Sequence, residues 1–264
     1  MPDFKAIQLK IENQVAWITM NRPEARNAVN ADMRDEIISV LTDARTNGDI
    51  RALVLTGSGK GFCTGADLSG PRGQGPSGPG AGREVMKQSS QRLVRTLWEL
   101  EKPVIAAVNG VAAGLGCHLA FASDLVLAAQ EARFIEVFVR RGIAIDAAGA
   151  FLLPRLIGLQ KAKELVFFGD DLSADDALRA GLVSKVVPGD QLAGAAREWA
   201  EKLAQGPTFA IGMSKRLLNR SLESSFETAL EEEALVQSLV TQSEDTREGM
   251  TAFMERRAPK FQGK

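Results

Sequence analysis

Two glycine-containing segments of the chain each follow an apolar run, and both could bind an anion. They are GFCTGADL at residues 61–68 and NGVAAGLGCHLA at residues 109–120. Taken singly, such a segment is more typical of a tight turn. Glycines, however, let backbone amides approach a ligand closely, and a helix that begins in the second segment would point unpaired N–H groups outward. Two amides that converge on one oxygen form an oxyanion hole, which stabilises an enolate or a tetrahedral oxyanion.

Strands and helices alternate along the first half of the chain, and the two segments lie where strands end. Alternating polarity over residues 7–20 predicts an antiparallel hairpin with its turn at residues 12–14. Short apolar runs at residues 51–56, 103–108 and 124–129 predict buried parallel strands. A period of 3.6 residues predicts helices at 30–47, 84–100 and 115–122, the first of them capped by Asn30. This order indicates an α/β fold.

The last third of the chain is predicted to be almost entirely helical. Amphipathic stripes run through residues 191–204, 209–222 and 226–257, and a helix from residue 147 onward is expected to be interrupted at Pro154. We therefore expect a core over residues 1–200 and a helical extension over residues 201–264. The apolar faces of this extension need either the core or a neighbouring subunit to cover them.

Residues 69–82 (SGPRGQGPSGPGAG) contain six glycines and three prolines and predict a mobile loop. A surface insertion is the commoner explanation for such a loop. Its position directly after GADL is the argument for a lid over a binding site.

Composition excludes several classes of function. Lys and Arg number 32 against 33 Asp and Glu, so the net charge of −1 offers no general attraction to nucleic acid or to an anionic membrane. We expect no export signal and no membrane span, and therefore a cytoplasmic protein. Two cysteines and a single histidine cannot build a disulfide framework or the usual zinc sites, so Cys63 and Cys117 are expected to be small packing residues.

The chain resembles the enoyl-CoA hydratase/isomerase, or crotonase, family over residues 5–262. The resemblance rests on NRPEARN at residues 21–27, GFCTGADL, KPVIAAVNGVAAGLG at 102–116, ASDLVLAA at 122–129, and the stretch from residue 169 that ends in AGLVSKVV. It implies a crotonase-like spiral of ββα turns with a C-terminal helical trimerisation region. It also implies an acyl-CoA thioester whose carbonyl lies in an oxyanion hole formed by the amides of Ala66 and Leu115. Coenzyme A would enter only as part of the substrate, with no further cofactor and no metal.

The sequence departs from the family pattern at the second amide, where Leu115 replaces the usual glycine. Any residue except proline supplies an amide, so the hole survives if the backbone angles tolerate a side chain. We expect the leucine to narrow the acyl pocket.

A larger departure concerns the acid/base residues. The positions that match the two hydratase glutamates are His118 and Phe138, and phenylalanine cannot exchange a proton. Asp146 falls where the resemblance places the carboxylate of several other branches: enoyl- and dienoyl-CoA isomerases and a dehalogenase. Its apolar flank would desolvate it and raise its pKa, as a proton shuttle requires.

Each of these residues also has a structural interpretation. Asp146 could cap a helix that begins near residue 147. His118 could be a core residue that is hydrogen-bonded to backbone. Glu136, on the same face of an extended segment as Phe138, could reach the pocket, although a solvated or salt-bridged role is more typical.

For coenzyme A, the resemblance points to two groups of residues. Cationic side chains suit phosphates and an aromatic ring suits adenine. The residues are Arg26, Ala28, the Ala66, Asp67 and Leu68 backbone, and Lys260 with Phe261, the last two often donated by another subunit.

The function that we favour from the sequence is double-bond isomerisation with Asp146 as the acid/base group. Standard hydration lacks its glutamates and would need His118 and Asp146 to flank a water. The alternatives are a hydrolase that uses His118 and a non-catalytic acyl-CoA carrier. A homotrimer or hexamer is expected in every case.

Overall fold

The structure is a computed structural model that describes residues 4–69 and 78–264. Its strands are β1 (Ile7–Glu12), β2 (Val15–Met20), β3 (Ala52–Gly57), β4 (Gly61–Cys63), β5 (Val104–Val108), β6 (Val111–Ala113), β7 (Leu125–Ala129), β8 (Arg133–Ile135), β9 (Asp171–Ser173) and β10 (Lys185–Val187). Its helices are α1 (Ala31–Ala44), α2 (Ala81–Gln88), α3 (Ser90–Trp98), α4 (Leu115–Phe121), α5 (Gly149–Ile157), α6 (Leu159–Phe168), α7 (Ala174–Ala180), α8 (Leu192–Ala204), α9 (Thr208–Ser221), α10 (Phe226–Val240) and α11 (Glu244–Glu255).

The strands form two sheets that share one repeating unit. The larger sheet has the order β1-β2-β3-β5-β7-β10, and the smaller has the order β4-β6-β8-β9. The pairs β3–β4, β5–β6 and β7–β8 each place one strand in either sheet, and each pair is followed by a helix. The larger sheet is parallel apart from the β1–β2 hairpin. This repeat confirms the predicted spiral of ββα turns.

The larger sheet is covered on both faces, as its apolar strands require. Every residue of β5 is buried. Helix α1, capped by the Asn30 side chain as predicted, packs its apolar stripe into the main core. On the other face α8 lays its alanine stripe, with Ala196 and Ala200, against β3 and β5. The predicted boundary at residue 200 thus falls inside a helix that packs on the sheet, and the two-part division stays a prediction.

Three features of the helices and one strand differ from the sequence prediction. The helix expected at residues 84–100 is two helices, because the backbone of Ser89 leaves the helical region. Pro154 lies inside α5 rather than interrupting it, since a short helix can forgo one hydrogen bond. The stripe at residues 226–257 is divided between α10 and α11, the latter capped by Ser243. Strand β10 lies within the part predicted to be helical.

The glycine- and proline-rich loop is only partly described. Its residues 70–77 lie outside the described residues, so the predicted mobile loop and lid remain predictions. Helix α2 begins at residue 81, within the last part of the segment. Across residues 4–69 and 78–264, no helix combines the length and the apolar character that a membrane crossing needs.

Gly116 provides a test of how tightly the spiral is packed. A Cβ at this position would overlap the carbonyl oxygen of Cys63, which is rigid backbone. We expect Gly116→Ala to lower the free energy of unfolding by about 1–3 kcal/mol, as overpacking does. Gly48→Ala is the control, because nothing lies within 4 Å of its added Cβ. Denaturant unfolding would measure both, and a Gly116→Ala protein as stable as Gly48→Ala would contradict the expectation.

Candidate active site

The two glycine-containing turns meet at the end of the smaller sheet. Strands β4 and β6 are parallel neighbours, so the turns that follow them leave the sheet side by side. A Cβ on Gly65 would lie 2.8 Å from the carbonyl oxygen of Ala113 and 3.6 Å from the amide nitrogen of Leu115. The amides of Ala66 and Leu115 donate to no acceptor within the described residues. The structure therefore brings together the two amides that the sequence paired.

Leu115 fits its position because the unusual backbone conformation falls on the residue before it. Gly114 has a φ of 52°, in the left-handed region that favours glycine, whereas Leu115 is the first residue of α4. The first amides of a helix have no partner inside the helix. The Leu115 side chain is buried in the main core, so replacing glycine by leucine leaves the amide free to bind a ligand.

Two asparagines hold the connection between β3 and β4, which leads into the first turn. The side-chain amide of the buried Asn27 donates to the carbonyl oxygens of Ser58 and Gly61, both at 2.9 Å, and its oxygen accepts the backbone N–H of Arg22 at 2.9 Å. Asn109 donates to Gly59 at 3.1 Å and accepts from Gly57 at 3.2 Å. The sequence analysis did not assign these roles. The signal available in the sequence was an asparagine in each motif, Asn27 in NRPEARN and Asn109 in NGVAAGLGCHLA.

His118 and Glu136 form a buried pair beneath the second turn. The imidazole Nε2 lies 3.1 Å from Glu136 Oε2, and the exposed fractions of the two side chains are 0% and 4%. The imidazole also stacks on Phe138, with ring centroids 5.5 Å apart. The interpretation of His118 as hydrogen-bonded to backbone is therefore wrong, since its partner is a carboxylate. With no exposed surface, the ring in this arrangement acts on a substrate only through its neighbours.

Phe138 connects the buried pair to the second turn. A Cβ on Gly114 would lie 3.4 Å from Phe138 Cζ and 3.3 Å from a methyl group of Val137. The backbone N–H of Gly114 also donates to Ile135 at 2.9 Å. The phenylalanine in the place of a hydratase glutamate thus packs between the imidazole and the turn that bears the second amide.

Asp146 is half-buried and does not cap a helix. Helix α5 begins at Gly149, its N-cap position is Ala148, and no side chain caps it, so the capping interpretation is wrong. The Asp146 carboxylate has no hydrogen-bond partner among the described side chains, while its backbone carbonyl accepts the N–H of Gly149 at 2.9 Å. Burial raises the pKa of Asp146; a protonated His118 lowers it, and the charge of Glu136 raises it. The net direction is upward, as the apolar flank predicted.

The residues predicted to bind coenzyme A divide into two groups, and the first lies at the first turn. The Arg26 carbonyl accepts the amide of Thr64 at 3.2 Å, and the Arg26 side chain is exposed. Arg22 bonds the Ala28 carbonyl at 2.6 Å and the Asp67 carboxylate at 2.8 Å. The hydroxyl and amide of Ser69, and then Arg22, lower the pKa of Asp67 to about 2. Its carboxylate is thus ionised, which leaves the backbone as the part that suits an anion.

The second group, Lys260 and Phe261, lies at the other end of the sheet within this chain. Arg51, directly before β3, donates to the Phe261 carbonyl at 3.2 Å. The backbone N–H of Lys260 donates to Glu248 at 2.7 Å. Among the described residues, no hydrogen bond joins Lys260 or Phe261 to the two glycine turns.

A cleft of about 460 Å³ opens beside the Asp146 turn at Ala148. Its walls include the rings of Trp98 and Phe151, which meet edge to face with centroids 6.0 Å apart. Val94 and Leu152 add aliphatic surface. Charged side chains, among them Arg95, Glu99 and Glu223, also line it. The cleft therefore combines an apolar wall with charged groups beside the turn that carries Asp146.

The two cysteine thiols are not reactive in this structure. Burial raises the pKa of Cys63 to about 12, and burial together with Glu136 raises that of Cys117 well above its ordinary value. Neither thiol supplies a thiolate near neutral pH, in agreement with their prediction as packing residues. No group of three metal-ligating side chains occurs in the part of the chain that the structure describes.

Repeated ββα turns that place one strand of each pair in either sheet define a crotonase-fold protein, in which the amides of Ala66 and Leu115 donate to no acceptor among the described residues. The family model described as enoyl-CoA hydratase/isomerase matches residues 10–264, and the chain belongs to this family of acyl-CoA enzymes.

Relatives and solved structures agree with this assignment. The chain is 40% identical to the 1,2-epoxyphenylacetyl-CoA isomerase of Escherichia coli K12, covering 96% of this chain and 97% of the relative. It is 39% identical to a probable enoyl-CoA hydratase of Rhodobacter capsulatus, over 99% of each chain. The crystal structure of a putative enoyl-CoA hydratase from Streptomyces coelicolor A3(2) superposes with a TM-score of 0.93 at 36% identity, covering 100% of this chain and 96% of that one. The predicted family and fold are confirmed.

Proposed function

We propose that the protein moves a carbon–carbon double bond in an enoyl-CoA thioester, with Asp146 as the group that carries the proton. The observation that supports this most directly is the half-buried Asp146 carboxylate, which has no hydrogen-bond partner among the described side chains and a raised pKa. A carboxylate in this state can accept a proton and release it again.

The reaction needs one base and one anion site. Asp146 removes a proton from the carbon next to the thioester of a 3-enoyl-CoA. The electrons move to the thioester oxygen, which the amides of Ala66 and Leu115 stabilise as a dienolate. The protonated Asp146 then returns the proton to the far end of the dienolate, which yields a 2-enoyl-CoA. One carboxyl group serves both steps, so the loss of two hydratase glutamates does not prevent the reaction.

Hydration and hydrolysis are less well supported by the same residues. Each needs a group that activates water, and Phe138 cannot exchange a proton. His118 is sealed between Phe138, Glu136 and the backbone of Gly149. An isomerase among the relatives, named for 1,2-epoxyphenylacetyl-CoA, adds support for isomerisation. The apolar wall of the cleft at Ala148 suits the acyl group, whether chain or ring.

We also propose that coenzyme A spans two subunits of a homotrimer or a dimer of trimers. Helices α10 and α11 leave large apolar side chains exposed, among them Phe226 at 73% and Phe253 at 80%. A second copy of the chain would cover such faces. It would also place its Lys260 and Phe261 near the first turn of its neighbour, as the family resemblance implies.

Asp146→Asn tests the proton transfer. Asparagine keeps the size of the side chain but cannot act as a base. We expect turnover of a 3-enoyl-CoA to fall about a hundredfold to ten-thousandfold, with acyl-CoA affinity little changed. In the unaltered protein the rate should rise with pH through a pKa above the ordinary aspartate value of 3.8, because the base form exists only above that pKa.

The control for this substitution is Asp175→Asn, which removes an exposed carboxylate in α7. It should leave both turnover and affinity as they were. Full isomerase activity in Asp146→Asn would refute the assigned base, and acyl-CoA binding without turnover of any enoyl-CoA by the unaltered protein would instead favour a carrier.

Leu115→Pro tests the second amide. Proline is tolerated at the first position of a helix, and it lacks the N–H that would bind the oxyanion. We expect turnover to fall by roughly a hundredfold to a thousandfold, the cost of one oxyanion donor. Leu115→Gly is the matched variant, since it removes the side chain and keeps the amide, and it should stay far more active. Equal losses in both would show that the side chain rather than the amide matters.

Sedimentation velocity at micromolar concentration tests the assembly. The exposed apolar faces predict a trimer or a hexamer, and Phe253→Glu should weaken it by placing a charge on such a face. A stable monomer of the unaltered protein would contradict the proposed sharing of coenzyme A between subunits.

A further inference from the structure

A buried acidic and basic pair lies directly behind the group that carries the proton. The His118–Glu136 pair is sealed from solvent, and its remaining polar atoms, His118 Nδ1 and Glu136 Oε1, have no hydrogen-bond partner among the described residues. Burying such groups is costly, because each lost hydrogen bond to water has to be replaced. Neither side chain touches the position of the substrate, so a catalytic step does not account for the pair.

The imidazole supports the backbone turn that carries Asp146. A Cβ on Gly149 would overlap Nε2 and Cε1 of His118, so the Gly149 backbone lies against the ring. Within the same turn, Ala147 and Ala148 have φ values of 44° and 66°. Left-handed alanines persist only where the surrounding structure enforces them. The ring is part of that enforcing structure.

The pair also acts on Asp146 through charge. Among the described residues, the charges that act on the Asp146 carboxyl are those of His118 and Glu136, and they act in opposite directions. Glu136 also raises the pKa of the Cys117 thiol, which burial keeps neutral. Phe138, which covers the other face of the ring, carries no charge.

We propose that His118 and Glu136 are positioning residues for Asp146: Glu136 holds the imidazole, the imidazole supports the turn that carries Asp146, and the pair sets the electrostatic environment of its carboxyl. This inference rests on the proposed function, in which Asp146 is the proton shuttle. It gives His118 and Glu136 a role that requires no contact with the substrate.

The pH dependence of variants separates this role from simple packing. His118→Gln can still donate to Glu136 but removes the imidazole, which lowers the pKa of Asp146, so the acid limb of kcat/KM should move to higher pH. Glu136→Gln still accepts from His118 but carries no negative charge, so the acid limb should move to lower pH. Shifts of about 0.5 to 1 pH unit in opposite directions are expected, the size that one partly screened charge produces. The double variant should lie between them.

Phe138→Leu is the packing control. It removes the ring that stacks on the imidazole without changing any charge, so any change in kcat comes from geometry and the acid limb should not move. Shifts in the same direction for both glutamine variants, or lowered kcat with unmoved limbs, would overturn the proposal. If His118→Gln fails to fold, as judged by thermal unfolding, an unshifted limb in Glu136→Gln overturns it alone.

A second readout does not depend on turnover. In protein labelled with ¹³C at the aspartate carboxyls, the Asp146 signal is the one absent from Asp146→Asn, and its titration reports the same shifts. If the unaltered protein isomerises no enoyl-CoA, the proposed function fails, while the carboxyl titration still decides whether the pair acts on Asp146.

Discussion

The close approach of two backbone turns is the constraint on which the site depends. Parallel pairing of β4 with β6 sends both turns off the same end of the small sheet, and the missing side chains of Gly65 and Gly116 let their backbones touch. The amides of Ala66 and Leu115 are thereby left facing ligand space with no partner in the described residues. Because the site uses backbone amides, it tolerates changes of side chain, and a leucine can therefore replace glycine at the second amide.

In the proposed reaction the proton chemistry is concentrated on a single carboxylate. Where the resemblance places two hydratase glutamates, the protein has the buried His118 and Phe138, and the proposed base, Asp146, lies on the turn before α5. Desolvation raises the pKa of Asp146, while His118 lowers it and Glu136 raises it. Under the proposal, the buried pair acts on the reaction through the position and the electrostatic environment of Asp146 rather than through contact with the substrate.

Local patterns predicted much of the fold. The β1–β2 hairpin, the Asn30 cap of α1 and the buried strands followed from periodicity. The pairing of the Ala66 and Leu115 amides came from the family resemblance, and their role as an oxyanion hole stays a prediction. Features that depend on distant contacts were missed. The hydrogen bond from His118 to Glu136 joins residues 18 positions apart across a turn, and the contact with Gly149 is set by how α4 and α5 pack. The hydrogen bond from Arg51 to the Phe261 carbonyl, which helps to place the segment with Lys260, likewise cannot be predicted from local sequence patterns.

Exchange of the hydrogens next to the thioester tests the central claim most directly. A saturated acyl-CoA cannot isomerise, but a base and an oxyanion site together still let its C2 protons exchange with D₂O through an enolate. Mass spectrometry of the recovered thioester should show deuterium at C2 with the unaltered protein and only background incorporation with Asp146→Asn. Tight binding of the thioester by the unaltered protein with no deuterium at C2 would contradict the account.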